Sequence, residues 1–188
     1  MKAAIALLSD YTVQNAVRRM VYEIRGHAEI EFLGSLLPAH VSLKQPFAFE
    51  SMDALEGWFD SFSKRVSPFR VGLDHVYYDV WDNFAIIGLS VNETPALREL
   101  HNRINHELKE VVSDPSAAHD GDEYRFHLTI ELGKVGGINP FRQFYEALPE
   151  KQVALSFVAE QIALFYYADG PIEKGSFICF KVLPLGRK

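Results

Sequence analysis

Two short stretches constrain this chain more than any other feature. They are HVSLK at 40–44 and HLTIE at 127–131, each set in an apolar run that reads as a strand. Side chains alternate along a strand. His40, Ser42 and Lys44 are therefore expected on one face, with Val41 and Leu43 on the other. In the second stretch His127, Thr129 and Glu131 share a face, and Leu128, Ile130 and Leu132 take the opposite one. A single His-x-hydroxyl triplet is common and more often marks a solvated strand than a site. Two of them, each followed by an apolar residue and set in matching halves of the chain, point to one shared site.

The halves match in their order of elements. An apolar strand at 2–8 precedes an amphipathic helix at 12–25, carried by Val13, Val17, Met20, Val21 and Ile24 and capped by Asp10 or Thr12. Gly26 is expected to stop it. The strand at 40–44, a helix at 52–65 and strands at 69–79 and 84–91 follow, the last two joined by a turn at Asp82 and Asn83. Thr94-Pro95 caps a helix over 95–111. A polar loop leads to a strand at 125–132, and Asn139-Pro140 opens a short helix. The chain closes with strands over about 153–168 and 176–183. The reading is an α+β protein: one domain, residues 1–188, made of two pseudo-symmetric α/β lobes. Each lobe contributes one histidine strand, with antiparallel sheets around a central groove and helices on the outer faces.

The chemistry of the pair is specific. Cleaving a phosphodiester requires a base for the nucleophile and an acid for the leaving oxygen. Histidine titrates near neutrality, so two of them divide those roles without a metal. Hydroxyls on the same faces donate to the non-bridging phosphate oxygens.

These residues resemble the motif of the 2H phosphoesterase superfamily, the group of the bacterial RNA 2′,3′-cyclic phosphodiesterases once described as 2′-5′ RNA ligases. The motif is a pair of His-x-Thr/Ser triplets, here His40-Val41-Ser42-Leu43 and His127-Leu128-Thr129-Ile130. The opening AIALL strand, FRVGLDHVYYDVWDNFAIIGLSV, the Leu97–Leu108 helix, VAEQIALFYYADG and SFICFKVLPLG resemble the remaining units, so the likeness spans nearly the whole chain. It implies His40 and His127 as the catalytic pair and Ser42 and Thr129 as phosphate holders. It also implies a cyclic phosphate or phosphodiester on ribose as substrate, without a cofactor. By resemblance to the bacterial RNA branch, His40 protonates the 3′ leaving oxygen and His127 activates water, giving a 2′-phosphate. Ser42 stands where threonine is commoner, and Phe126 precedes His127 where RNA-processing bacterial members often carry proline.

Further candidates surround the motifs. Lys44 and Arg125 are candidate phosphate contacts, the bland alternatives being a strand-end lysine and an edge ion pair. Glu131 and Lys134 are weaker. Phe47, Trp81, Tyr124, Tyr166 and Tyr167 are candidate platforms for a base, although most of the 14 phenylalanines and other aromatics must be core. Tyr166 and Tyr167 alternate, so only one faces the groove. His27, His75, His101, His106 and His119 read as structural or solvated.

Composition bounds the partners. The formal net charge of −6 argues against a basic groove for duplex DNA or long RNA, and leaves a small nucleotide or an RNA 3′ end. The single cysteine, Cys179, reads as a buried small hydrophobe and excludes a thiolate zinc site. The opening AAIALL run is shorter than a signal peptide's apolar region, and no window approaches the roughly 18 apolar residues of a membrane span. The chain therefore reads as a cytoplasmic monomer with no obligate protein partner. Two other functions stay open: a nucleotide or RNA-end binding protein without turnover, and a structural protein whose triplets are accidental.

Overall fold

The structure is a computed structural model that describes residues 1–25, 37–81, 84–117, 119–134, 140–167 and 177–186; the side chains of residues 81 and 177–180 are not described. The Gly26 stop, the turn at Asp82 and Asn83, the Asn139 cap, His27, and the side chains of Trp81 and Cys179 lie outside the described residues. The elements are β1 (Lys2–Leu8), α1 (Tyr11–Arg25), β2 (His40–Ala48), α2 (Met52–Ser63), β3 (Phe69–Trp81), β4 (Phe84–Asn92), α3 (Pro95–Glu107), β5 (His127–Lys134), α4 (Pro140–Ala147), β6 (Gln152–Ala159), β7 (Gln161–Tyr167) and β8 (Phe177–Pro184). A short 3-10 turn, Leu108–Glu110, follows α3.

Local chemistry starts the helices where the sequence places them. Asp10 accepts the Val13 amide at 3.0 Å, Ser51 the Ala54 amide, and Thr94 the Leu97 amide, with Pro95 at the first helical position. The buried residues Val13, Val17, Val21 and Ile24 recur at helical spacing and put one face of α1 into the core.

The strands form one antiparallel sheet in the order β6-β3-β4-β5-β2-β1-β7-β8. The two histidine strands are its central neighbours, yet they pair only at Val41 and Leu128. On each side of that single rung the halves are extensively laddered, β1 to β2 and β7, and β4 to β5 and β3. The helices cross between halves. α3, which follows β4, packs on β2, while α1, which follows β1, packs on β5. Each histidine strand is thus covered by the helix of the other half.

Both histidine strands carry a bulge at the same place. Ser42 pairs with Ala6 but Lys44 with Ile5, so Leu43 is an extra residue. Thr129 pairs with Gly88 but Glu131 with Ile87, so Ile130 is the extra residue of β5. A bulge sets two residues against one and reverses the facing beyond it. The strict alternation expected from the sequence is therefore corrected after the hydroxyl: Lys44 and Glu131 do not share the histidine face. They lie beneath the sheet on the helix side, 1% and 0% exposed. The burial sequence of the first six residues is identical in the two strands. The pseudo-symmetry extends to this irregularity.

Lys44 makes a buried ion pair with Asp120. Burial pulls its ammonium below the usual lysine range, and Asp120 opposes that pull. Removing one partner of such a pair leaves a buried charge uncompensated, whereas removing both does not. We expect Asp120→Ala to cost about 3 kcal/mol in denaturant unfolding, and Lys44→Met combined with Asp120→Ala to recover most of it. Equal losses in the single and double variants would show that the cost does not come from a buried lysine left uncompensated.

Candidate functional site

The single rung sets the site. In an antiparallel pair, opposed residues point to the same face. Continuing the Val41–Leu128 register one step either way places His40 opposite Thr129 and Ser42 opposite His127. Each histidine therefore faces the hydroxyl of the other triplet. All four side chains are half-buried, in contrast to the closed core positions between them.

Both imidazoles are oriented in the same way. His40 Nδ1 lies 2.8 Å from the Pro38 carbonyl, and His127 Nδ1 lies 2.9 Å from the Arg125 carbonyl. A carbonyl only accepts, so Nδ1 carries the proton in both rings and Nε2 is the basic atom. Neither Nε2 has a hydrogen-bond partner among the described residues. Phe165 packs edge-on against His40, with ring centroids 4.9 Å apart. Burial pulls the His40 imidazolium down to about 4, the Pro38 carbonyl opposes this, and His127 lowers it further. Charge on His127 therefore disfavours charge on His40. Burial also lowers His127, against the Arg125 carbonyl. Both rings are neutral near pH 7 in the free protein.

The structure brings together His40, Ser42, His127 and Thr129, and separates the other candidates. Lys44 is turned into the core by the Leu43 bulge, away from the histidine face. Arg125 precedes β5 rather than belonging to it, so strand parity does not place its side chain; it is exposed, and its carbonyl holds His127. Glu131 is buried under the sheet and accepts the Leu132 amide at 3.1 Å. Lys134 is exposed at the far end of β5. Phe47, Tyr124 and Tyr166 are core residues, and Tyr166 donates to Glu56 at 2.7 Å. Tyr167 is the described aromatic of that set that packs with the groove-side cluster of Ala6, Ala163 and Phe165.

Several residues that set the site carry no motif signature. Gln14 and Arg98 are the fourth residues of α1 and α3. Gln14 grips Ala39 through both backbone groups, at 2.8 and 2.9 Å. Arg98, paired with Glu93, donates to the carbonyls of Gly121 and Tyr124. Each helix thus holds the chain just before one histidine. His101, read from the sequence as structural, is fully buried. Its Nδ1 donates at 2.7 Å to the carbonyl of Leu43, the bulge residue, and its Nε2 accepts from Asn105 and from the amide of Gly121. Gly121 has φ of 86°, a conformation that favours glycine. Tyr124 stacks on His101 and donates to the Ser42 carbonyl at 3.1 Å. Phe126 fills the same cluster, with the Arg98 guanidinium 4.8 Å from its ring centroid. The signal for this group was the polar spacing along each helix, which a reading by apolar stripe discards.

The fold and the paired triplets match the pattern of the 2H phosphoesterase superfamily. The sequence profile of the 2′-5′ RNA ligase superfamily matches residues 13–171, and the chain belongs to that family. No curated protein sequence matches it. Among solved structures it is similar to TT0787 of Thermus thermophilus, at 15% identity and a TM-score of 0.67, covering 100% of both chains. It is similar to E. coli LigT complexed with NADP+, at 14% identity and a TM-score of 0.58, covering 99% of this chain and 98% of that one. It is also similar to Kluyveromyces marxianus Usb1 with uridine monophosphate, at 13% identity and a TM-score of 0.51, covering 98% of each chain. These likenesses establish a LigT-like fold. Family membership supports phosphodiesterase-type activity. Among the described residues no helix is long and apolar enough to cross a membrane.

The ring environments predict a titration. In nitrogen-detected NMR of the free protein, both rings should be Nδ1–H tautomers at pH 7, with His40 titrating near 4 and His127 below 6.5. Because these folded values are lowered, the unfolded chain binds protons that the folded rings refuse. Melting temperature should therefore fall as pH drops from 6.5 towards 4, and this contribution should vanish above 6.5. Either ring titrating at or above 6.5 would contradict the assignment.

Proposed function

We propose that this chain is a metal-independent phosphodiesterase that opens a 2′,3′-cyclic phosphate on a nucleotide or an RNA 3′ end. The observation that carries the reading is the crossed pairing of two Nδ1-anchored histidines with two hydroxyls around one backbone rung. It supplies two Nε2 atoms for proton transfer and two donors for the phosphate in one place.

In this reading Ser42 and Thr129 donate to the non-bridging oxygens as negative charge grows on them. His127 Nε2 takes a proton from water as its oxygen bonds to phosphorus. The phosphorus–O3′ bond breaks, and His40 Nε2 gives its proton to O3′. The product is a 2′-phosphomonoester. The order of the two histidines follows the resemblance to the bacterial RNA branch. Since both rings are neutral in the free protein, His40 acquires its proton with the substrate, whose phosphate charge raises the ring's pKa. Arg125, exposed beside the His127 anchor, adds positive charge at the approach to the site. The nucleotides in the E. coli LigT and K. marxianus Usb1 structures favour a nucleotide ligand here as well.

The test is hydrolysis of the four nucleoside 2′,3′-cyclic monophosphates in EDTA, with 2′- and 3′-phosphate products resolved. Turnover should persist in chelator and yield the 2′-phosphate. His40→Ala and His127→Ala should each lower kcat/KM by roughly 100- to 10,000-fold. A 3′-phosphate product would exchange the two histidine roles. Tight nucleotide binding without turnover would replace the enzyme with a binding protein.

A further inference from the structure

The two sides of the histidine face differ beside the two hydroxyls. Ser42 is flanked outward by Ala6 of β1 and Ala163 of β7. The corresponding positions beside Thr129 are Gly88 of β4 and Tyr77 of β3. Val76 and Tyr78 pack into the helix-side core, as do Ile87 and Leu89. Tyr77 and Gly88 therefore lie on the opposite face, with Thr129 and His127.

Tyr77 leans across β4 towards Thr129. A Cβ at Gly88 would lie 2.7 Å from the Tyr77 hydroxyl oxygen and from Cε1, and 2.8 Å from Cζ. The phenol end thus covers the backbone of the residue paired with Thr129, and only glycine leaves room for it. Tyr77 is half-buried, and its hydroxyl has no hydrogen-bond partner among the described residues. Burial raises its pKa, with Asp79 adding to the effect, so it is a neutral donor at every working pH. An unengaged phenol beside a phosphate-holding hydroxyl is suited to an anionic oxygen.

We propose that Tyr77 is a further substrate-contacting residue whose hydroxyl donates to the non-bridging phosphate oxygen held by Thr129, and that Gly88 is the clearance that lets it reach. The proposal rests on the phosphodiesterase reading of the site. Ala6 and Ala163 stand at the equivalent places of the other half, so among these strand positions the Thr129 side presents two donors and the Ser42 side one. That imbalance distinguishes the two non-bridging oxygens and fixes which way round a phosphate sits between two otherwise similar histidines.

Tyr77→Phe keeps the ring and removes the donor. It should lower kcat/KM for a 2′,3′-cyclic monophosphate roughly 10- to 100-fold, leave the melting temperature unchanged, and weaken binding of adenosine 2′-monophosphate measured by calorimetry. It should also narrow the rate difference between the Rp and Sp 2′,3′-cyclic phosphorothioates, a readout that a purely structural role would not move. Gly88→Ala should reproduce the loss by displacing the ring, and the double variant should be no worse than the singles. Thr129→Ala separates the two claims. If Thr129→Ala is impaired and Tyr77→Phe stays within twofold of the parent in rate, binding and diastereomer preference, the role of Tyr77 is overturned alone. If neither variant changes any of these, the reading of the site falls with it.

Discussion

One backbone rung, Val41 to Leu128, joins the two halves of the sheet at its centre. Everything at the site depends on it. It sets a histidine of each half against a hydroxyl of the other, and beyond it the two strands part. A longer ladder between β2 and β5 would continue the flat sheet and close the gap between the two triplets. No pairing at all would leave the two triplets unrelated in space. The bulges reinforce the single rung. They come one residue after each hydroxyl, where the added residue bends the strand and raises its local twist.

Those bulges are held from beneath, by chemistry that differs between the halves. Under β2, His101 takes the Leu43 carbonyl, Tyr124 takes the Ser42 carbonyl, and Lys44 pairs with Asp120. Under β5 the bulge is followed by buried Glu131. Because α3 covers β2 and α1 covers β5, each half braces the other's histidine strand. The two histidine strands are therefore braced together. A change in the packing of α3 bears on Ser42 and His40, although the helix belongs to the half that carries His127.

Much of this was legible in the sequence. The caps at Asp10 and Thr94, the apolar stripes and the alternation His-x-hydroxyl all encode local geometry, and local geometry is what a sequence states most directly. The third polar residue of each strand was not legible. Leu43 and Ile130 carry no glycine or other mark of a bulge, so parity assigned Lys44 and Glu131 to the wrong face. The start of β5 was set two residues early. Arg98 takes the Tyr124 carbonyl, so the approach to His127 is hydrogen-bonded to a helix side chain instead of a neighbouring strand. Tyr77 was passed over because its meaning depends on Gly88 in another strand. The crossing of the helices is a property of connections and not of any one segment.

The central claim is that both imidazoles serve one phosphate. Titration of the labelled histidines, free and with adenosine 2′-monophosphate bound, tests it most directly. The claim predicts that binding raises the pKa of His40 and of His127 together, since each ring then faces the same anionic group with Nδ1 already anchored to a carbonyl. A rise at one ring alone, or at neither, would contradict it.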